Sequence, residues 1–109
     1  IARQVADYAV RLVAASRPQR DGTPDFVNQW VSWGAGLRAA QTLVLGGKAR
    51  ALLSGRAHVA WEDIQSLALP TLRHRVLVSY KAEADGIAVE DVIERLLETV
   101  PTTAPPTTV

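Results

Sequence analysis

The sequence predicts a mostly α-helical domain, a small helical bundle with room for one short extended segment. Three observations lead there. Apolar residues recur at three- and four-residue spacing, the spacing that aligns side chains on one face of a helix. Strict alternation, the mark of a half-buried strand, is weak throughout. The 109 residues, 48% of them hydrophobic, are enough for one core and too few for two.

The first helix carries Ile1, Val5, Tyr8, Ala9 and Leu12 on one stripe, widened by Val13, and Ser16-Arg17-Pro18 stops it. Residues 17–25 then form a polar connection with a turn at Asp21-Gly22. Thr23-Pro24 is placed to cap and start a short helix bearing Phe26, Val27, Trp30 and Val31. After Gly34–Gly36 comes the longest helix, Leu37 to Ser54, with Leu37, Ala40, Val44, Ala51 and Leu52 sharing much of one side. Leu43, Leu45 and Leu53 widen that surface. Gly46-Gly47 weakens this helix by up to about 1 kcal/mol per glycine relative to alanine, so close packing against another helix is the expected compensation. Gly55 is placed to end it.

His58-Val59-Ala60 reads as an extended connection, and Trp61-Glu62-Asp63 opens a helix through about Leu69, its carboxylates favourably placed in the first turn. Pro70 is expected to interrupt it. Residues 71–80 fit either a second helical piece or an extended one, since Val76, Leu77, Val78 and Tyr80 are apolar and partly β-branched. The last helix, about Val89 to Thr99, has Val89, Val92, Ile93, Leu96 and Leu97 on one face. Glu90, Asp91, Glu94, Arg95 and Glu98 occupy the other. Residues 101–109 form a Pro/Thr-rich stretch with too little apolar content to offset ordering entropy, so a flexible tail is expected there. The domain is thus assigned to residues 1–100. Its uncapped helical opening suggests excision from a longer protein.

The segment with the narrowest geometric use is Trp33-Gly34-Ala35-Gly36-Leu37-Arg38-Ala39. Its glycines can take backbone angles closed to other residues and let a chain segment or a ligand come close. The helix that follows fixes the root of Arg38, and helix N-termini favour anions. Two readings stay open on the residues alone: a structural turn with a solvated arginine, or an anion contact by Arg38 aided by the backbone of Gly34, Ala35 and Gly36.

Several chemistries are excluded or disfavoured. Gly46-Gly47-Lys48-Ala49 lacks the spacing and hydroxyl of a phosphate-binding loop. No cysteine and two separated histidines, His58 and His74, give neither a thiolate nucleophile nor a clustered metal site, so no metal ligands are assigned. Both histidines read as surface or connection residues. Lys plus Arg at 12 against Asp plus Glu at 11 gives a net charge of +1, little general attraction to nucleic acid. Arg50, Arg56, Arg73 and Arg75 could form a basic patch, but no aromatic–basic repeat accompanies them, and no nucleic-acid partner is expected. Trp30, Trp33 and Trp61, like Tyr8 and Tyr80, are expected in the core or at a domain interface. No run approaches the roughly 20 apolar residues of a membrane span, so no membrane insertion is expected and a cytoplasmic location is the default.

The glycine–arginine segment, followed by Ala49-Arg50-Ala51-Leu52-Leu53-Ser54-Gly55-Arg56 and by Leu69-Pro70-Thr71-Leu72-Arg73-His74-Arg75, resembles the C-terminal lid of MoxR-type AAA+ ATPases over about residues 1–100. The resemblance implies a helical bundle that follows a larger nucleotide-binding domain. It implies that Arg38 matches the sensor 2 arginine, which faces ATP. The family's usual segment is Gly-Ala-Ser-Pro-Arg-Ala, so Gly36-Leu37 here replaces Ser-Pro. The family's Thr-Pro-Glu-Asp is likewise Ala60-Trp61-Glu62-Asp63, without the hydroxyl cap, and a locally altered cap is expected.

By that resemblance the complete protein hydrolyses ATP with Mg2+, forms a homo-oligomeric ring, expected to be a hexamer, and acts in a chaperone-like way on client proteins. Walker motifs and the arginine finger would belong to the nucleotide-binding domain, the principal partner. Residues 1–109 alone are expected to show no ATPase activity, to require no cofactor, and to be monomeric or weakly associated. The alternative is a protein-interaction module in which Arg38 does not contact nucleotide.

Overall fold

A computed structural model describes residues 3–102. Ile1 and most of the expected tail, 103–109, lie outside the described residues. Six helices and two very short strands follow in the order α1 (Arg3–Ala15), α2 (Asp25–Trp30), β1 (Val31–Trp33), α3 (Leu37–Leu53), α4 (Trp61–Leu72), β2 (Leu77–Val78), α5 (Tyr80–Ala84) and α6 (Val89–Thr99). The mostly helical bundle and its short extended segment are thus present.

The core forms where α1, α3, α4 and α6 turn their apolar stripes toward one another. Val5, Tyr8, Ala9, Leu12 and Val13 of α1 are buried as their spacing predicts. So are Val92, Ile93 and Leu96 of α6, with Val89 and Leu97 at the margin. Helix α3 packs most extensively on α4. A Cβ on Gly46 would stand 2.8 Å from Leu67 Cδ1, and one on Gly47 would stand 3.1 Å from both Ile64 Cδ1 and Val59 Cγ1. The helix gives up propensity at this pair, and α4 comes closer as a result. Gly55, at φ +74°, ends α3 in a Schellman arrangement in which Gly55 N–H donates to the Leu52 carbonyl and Arg56 N–H to that of Ala51.

Four local expectations change. The buried side of α3 is Ala39, Ala40, Leu43, Gly47 and Ala51, while Leu37 and Leu52 face outward with Leu45 and Leu53. Alanine and glycine predominate on the inner side, where α1 and α4 pack, and Leu43 is the one leucine of α3 buried there. Pro70 does not end α4, which runs through to Leu72; near the helix end the one lost backbone bond is outweighed by burial of Thr71 and Leu72. Thr23 does not cap α2. Its hydroxyl accepts from Arg20 N–H and donates to the Arg17 carbonyl, and Pro24 is the N-cap residue. Val31 leaves α2 to begin β1, which pairs antiparallel with β2 through Val31–Val78 and Trp33–Leu77. Residues 77–78 therefore take the extended alternative. Ser79 then caps the short α5, accepting from Ala82 N–H.

The aromatic residues divide. Tyr8 is fully buried, and Trp30 and Trp61 pack half-buried against the core, but Trp33 is 72% and Tyr80 91% exposed. Arg95 lies over Phe26 and Trp30, 4.9 Å and 5.3 Å from their ring centres, a cation–π contact that ties α6 to α2. Where the chain leaves α6, Arg11 of α1 donates to the carbonyls of Pro101 (2.5 Å) and Thr102 (3.0 Å).

Candidate functional site

The Gly34–Arg38 segment is built on the end of α1. Ser16, fully buried, donates its hydroxyl to the Val13 carbonyl (2.6 Å) and accepts from Ala35 N–H (3.1 Å), which anchors the turn to the helix. The same contact explains Gly34. A Cβ there would lie 2.3 Å from the Ser16 carbonyl oxygen and 2.6 Å from Arg17 Cα, closer than any side chain fits. Gly34 thus serves close approach of a chain segment, and neither it nor Gly36 has a positive φ. The Ala35 N–H is spent on Ser16, and Ala35 is buried.

Gly36 is different. It is the extended N-cap residue of α3, at φ −94° and ψ −179°, with no side-chain cap bond and open space where a Cβ would project. The first N–H groups of α3 therefore begin beside open space, at the positive end of a 17-residue helix. Arg38, in the first turn, is exposed and makes no ion pair or side-chain hydrogen bond among the described residues.

Two grooves flank this turn. One, about 510 Å³, lies between Trp33–Gly36 and the Arg73–Leu77 turn, and the β1–β2 pairing fixes its two walls together. The other, about 360 Å³, runs between the same turn and Arg17–Arg20. No carboxylate lines either. Arg73, His74 and Arg75 meet Trp33, Gly34 and Gly36, 37 or more residues away in sequence, at the first groove, which Arg38 does not line. Arg73 Nε reaches Glu90 at 3.1 Å and Arg75 Nη1 donates to the Thr71 carbonyl, while His74 is exposed.

The other two arginines of the presumed basic patch have another task. Asp63 is fully buried at the start of α4, and Arg50 and Arg56 converge on it at 2.6 Å and 2.5 Å. Its second oxygen accepts from Arg56 (2.8 Å) and from Ala60 N–H (2.7 Å). The Arg56 hydrogen bonds, the Ala60 N–H and the Arg50 hydrogen bond hold the Asp63 carboxyl far below the usual carboxylate range, against the opposing effect of burial. The same contact raises Arg56. Here is the altered cap: the alanine at the N-cap has no hydroxyl, and the aspartate supplies the reciprocal bond alone. Sequence reasoning saw Asp63 only as a first-turn charge; Arg50 and Arg56, 13 and 7 residues upstream, were the available signal.

Among the described residues no group of three or more His, Cys, Asp or Glu side chains is placed to hold a metal, and no helix is long and apolar enough to cross a membrane.

The fold is a small, mostly helical bundle with a two-stranded sheet, and its relatives define its class. The AAA lid domain family profile matches residues 26–96, and the chain belongs to that family. It is homologous to MoxR-type ATPases. The chaperone MoxR1 of Mycobacterium tuberculosis is 40% identical over 97 residues, covering 88% of this chain and 26% of the relative. The uncharacterized protein YeaC of Bacillus subtilis is 29% identical over 96 residues, covering 88% and 27%. A crystal structure of a Cytophaga hutchinsonii protein assigned as an ATPase superposes with a TM-score of 0.84 at 33% identity, over 92% of this chain and 30% of that one. The chain therefore spans only about a quarter to a third of the length of these relatives.

Proposed function

We propose that this domain is the lid of a larger, chaperone-like AAA+ ATPase and that Arg38 acts as its sensor 2 residue. The observation that carries the reading is Arg38 itself, exposed in the first turn of α3 without a carboxylate partner, in a chain of the AAA lid family. Its guanidinium can donate to the terminal phosphates of ATP held by a nucleotide-binding domain. There it stabilises charge on the transferring group and couples the nucleotide's presence to lid position. It has no free lone pair with which to accept a proton and does not activate water. The backbone near Gly36 offers further N–H donors; Gly34 shapes the turn.

ATP bound with Mg2+ would supply the reacting phosphoryl group, and the metal's ligands would come from the nucleotide-binding domain; among the described residues no group of three or more His, Cys, Asp or Glu is placed to hold a metal. The relative MoxR1 is named a chaperone, which supports client proteins as the partners of the complete assembly. A nucleotide-sensitive homo-oligomeric ring goes with that reading. Exposed Trp33, Leu37, Leu77 and Tyr80 give the lid apolar surface for such contacts, and they keep the pure interaction module as the competing reading.

The test is Arg38→Ala in the complete protein. ATP turnover should fall about tenfold or more, the scale of losing one charged donor to the transition state. Unchanged ATP binding and turnover would sink the sensor role and leave the interaction module.

A further inference from the structure

We propose that the groove between the Trp33–Gly36 turn and the Arg73–Leu77 turn is a polyphosphate site, so that the lid meets the terminal phosphates of a nucleoside triphosphate with Arg73, His74 and Arg75, beside Arg38, which does not line the groove but follows its wall residue Gly36 by two positions in α3. The inference rests on reading this end of α3 as the phosphate-facing end, and it adds residues which that reading does not use.

Four observations converge. The chain's net charge is only +1, yet this groove is lined by two arginines and a histidine with no carboxylate among its lining residues. The arginines are held at their roots without being consumed: Arg73 spends Nε on Glu90 and Arg75 spends one Nη on the Thr71 carbonyl, which leaves N–H groups on each fork for another acceptor. The Glu90 contact pairs two half-exposed side chains, so it screens Arg73 only in part. The opposite wall is the uncapped start of α3 at Gly36, where open space stands in place of a Cβ. The β1–β2 pairing holds the walls in fixed relation, so the cations are arranged before any ligand arrives.

The scarcity of aromatic platforms in the groove favours linked phosphates over a nucleic-acid strand. About 510 Å³ with one exposed aromatic, Trp33, at its edge suits a few linked phosphates. A nucleic-acid strand needs a longer cationic track with successive stacking platforms.

Amide NMR titration of the 109-residue chain with tripolyphosphate and with ATP tests the assignment. Saturable shifts are expected at Gly34, Gly36 and the Arg73 and Arg75 Nε–H signals, with the two ligands binding within about threefold of each other because phosphate supplies the contacts. Arg73→Gln with Arg75→Gln should weaken both ligands about tenfold or more, each single variant by about threefold, and the single-charge control Lys48→Gln, about 15 Å along α3 from Arg38, should change them less than about twofold. Thermal unfolding of each variant shows that the fold is kept.

Absence of binding overturns the proposal, as does equal weakening by Lys48→Gln, which would signify general charge attraction. Weakening by Arg38→Ala alone, with the double variant unaffected, overturns it while leaving the sensor role of Arg38 standing. The reverse pattern supports the groove and removes Arg38. A single-stranded oligonucleotide that binds more tightly per phosphate than tripolyphosphate overturns the nucleotide assignment in favour of nucleic acid.

Discussion

The two ends of α3 treat arginine in opposite ways. At its C-terminal end Arg50 and Arg56 close over a buried aspartate, and their charge is spent inside the fold. At its N-terminal end Arg38 stands exposed without a carboxylate, and Arg73 and Arg75 across the groove are only partly engaged. Residue type is the same at both ends, so the difference lies in whether a carboxylate is within reach. A satisfied arginine holds α3, the following turn and α4 in one geometry. An unsatisfied one remains available for an anion from outside, and the first rigidifies the helix that carries the second.

The contrast is broken most directly at Asp63. Asp63→Ala leaves two facing arginines without their carboxylate and the Ala60 N–H without its acceptor. It should cost about 2–4 kcal/mol, somewhat below a fully buried pair because the arginines are part-exposed. Urea unfolding reads the loss, and a change below about 0.5 kcal/mol would mean that the cluster is ornamental.

Gly34→Ala comes next, because its new Cβ would meet backbone of Ser16 and Arg17, which cannot rotate aside. A cost of about 1–3 kcal/mol is expected, against less than about 1 kcal/mol for Gly36→Ala, where the space is open. Equal costs in thermal unfolding would erase the distinction between a glycine required by packing and one that borders free space.

Acid provides a smaller, graded test. The folded state holds the Asp63 carboxyl well below its unfolded value of about 3.9, so its contribution is complete above that value. It is lost as pH falls through about 4 toward the lowered folded value. The stability difference between the protein and Asp63→Asn should therefore narrow between pH 6 and pH 3, and a constant difference would contradict the lowered value.

The smallest effect sharpens the other end. Arg38→Ala should alter stability by less than about 0.5 kcal/mol, since no partner within the fold is lost. A larger loss in denaturant unfolding would show that Arg38 belongs to the fold's own contacts.

The amphipathic stripes of α1 and α6 were legible because each buries one face against one core, and spacing alone then selects the buried residues. Gly46-Gly47 was legible too, since its propensity cost pointed to close packing before the α4 partner was known. The buried side of α3 was legible in part: Ala40, Leu43 and Ala51 are buried as their spacing predicts, but Leu37 and Leu52 turn outward while Ala39 and Gly47 lie inside, because spacing alone does not fix how the helix is rotated against α1 and α4. Ser16 gave no signal, as its role depends on Ala35, 19 residues away. The family's motifs pointed to Arg38, but its surroundings were not readable.

By itself, then, the sequence determined the helices, their main boundaries at Gly55 and Ser16-Arg17-Pro18, and the place of Arg38 at a helix start, because these follow from local backbone preference and periodicity. Only the tertiary structure decided which arginines are neutralised. An arginine's charge is felt over a few ångströms of space, and Asp63 reaches Arg50 and Arg56 only after the α3–α4 turn has closed, just as Arg73 and Arg75 come to line one groove with Gly36 only after β1 has paired with β2.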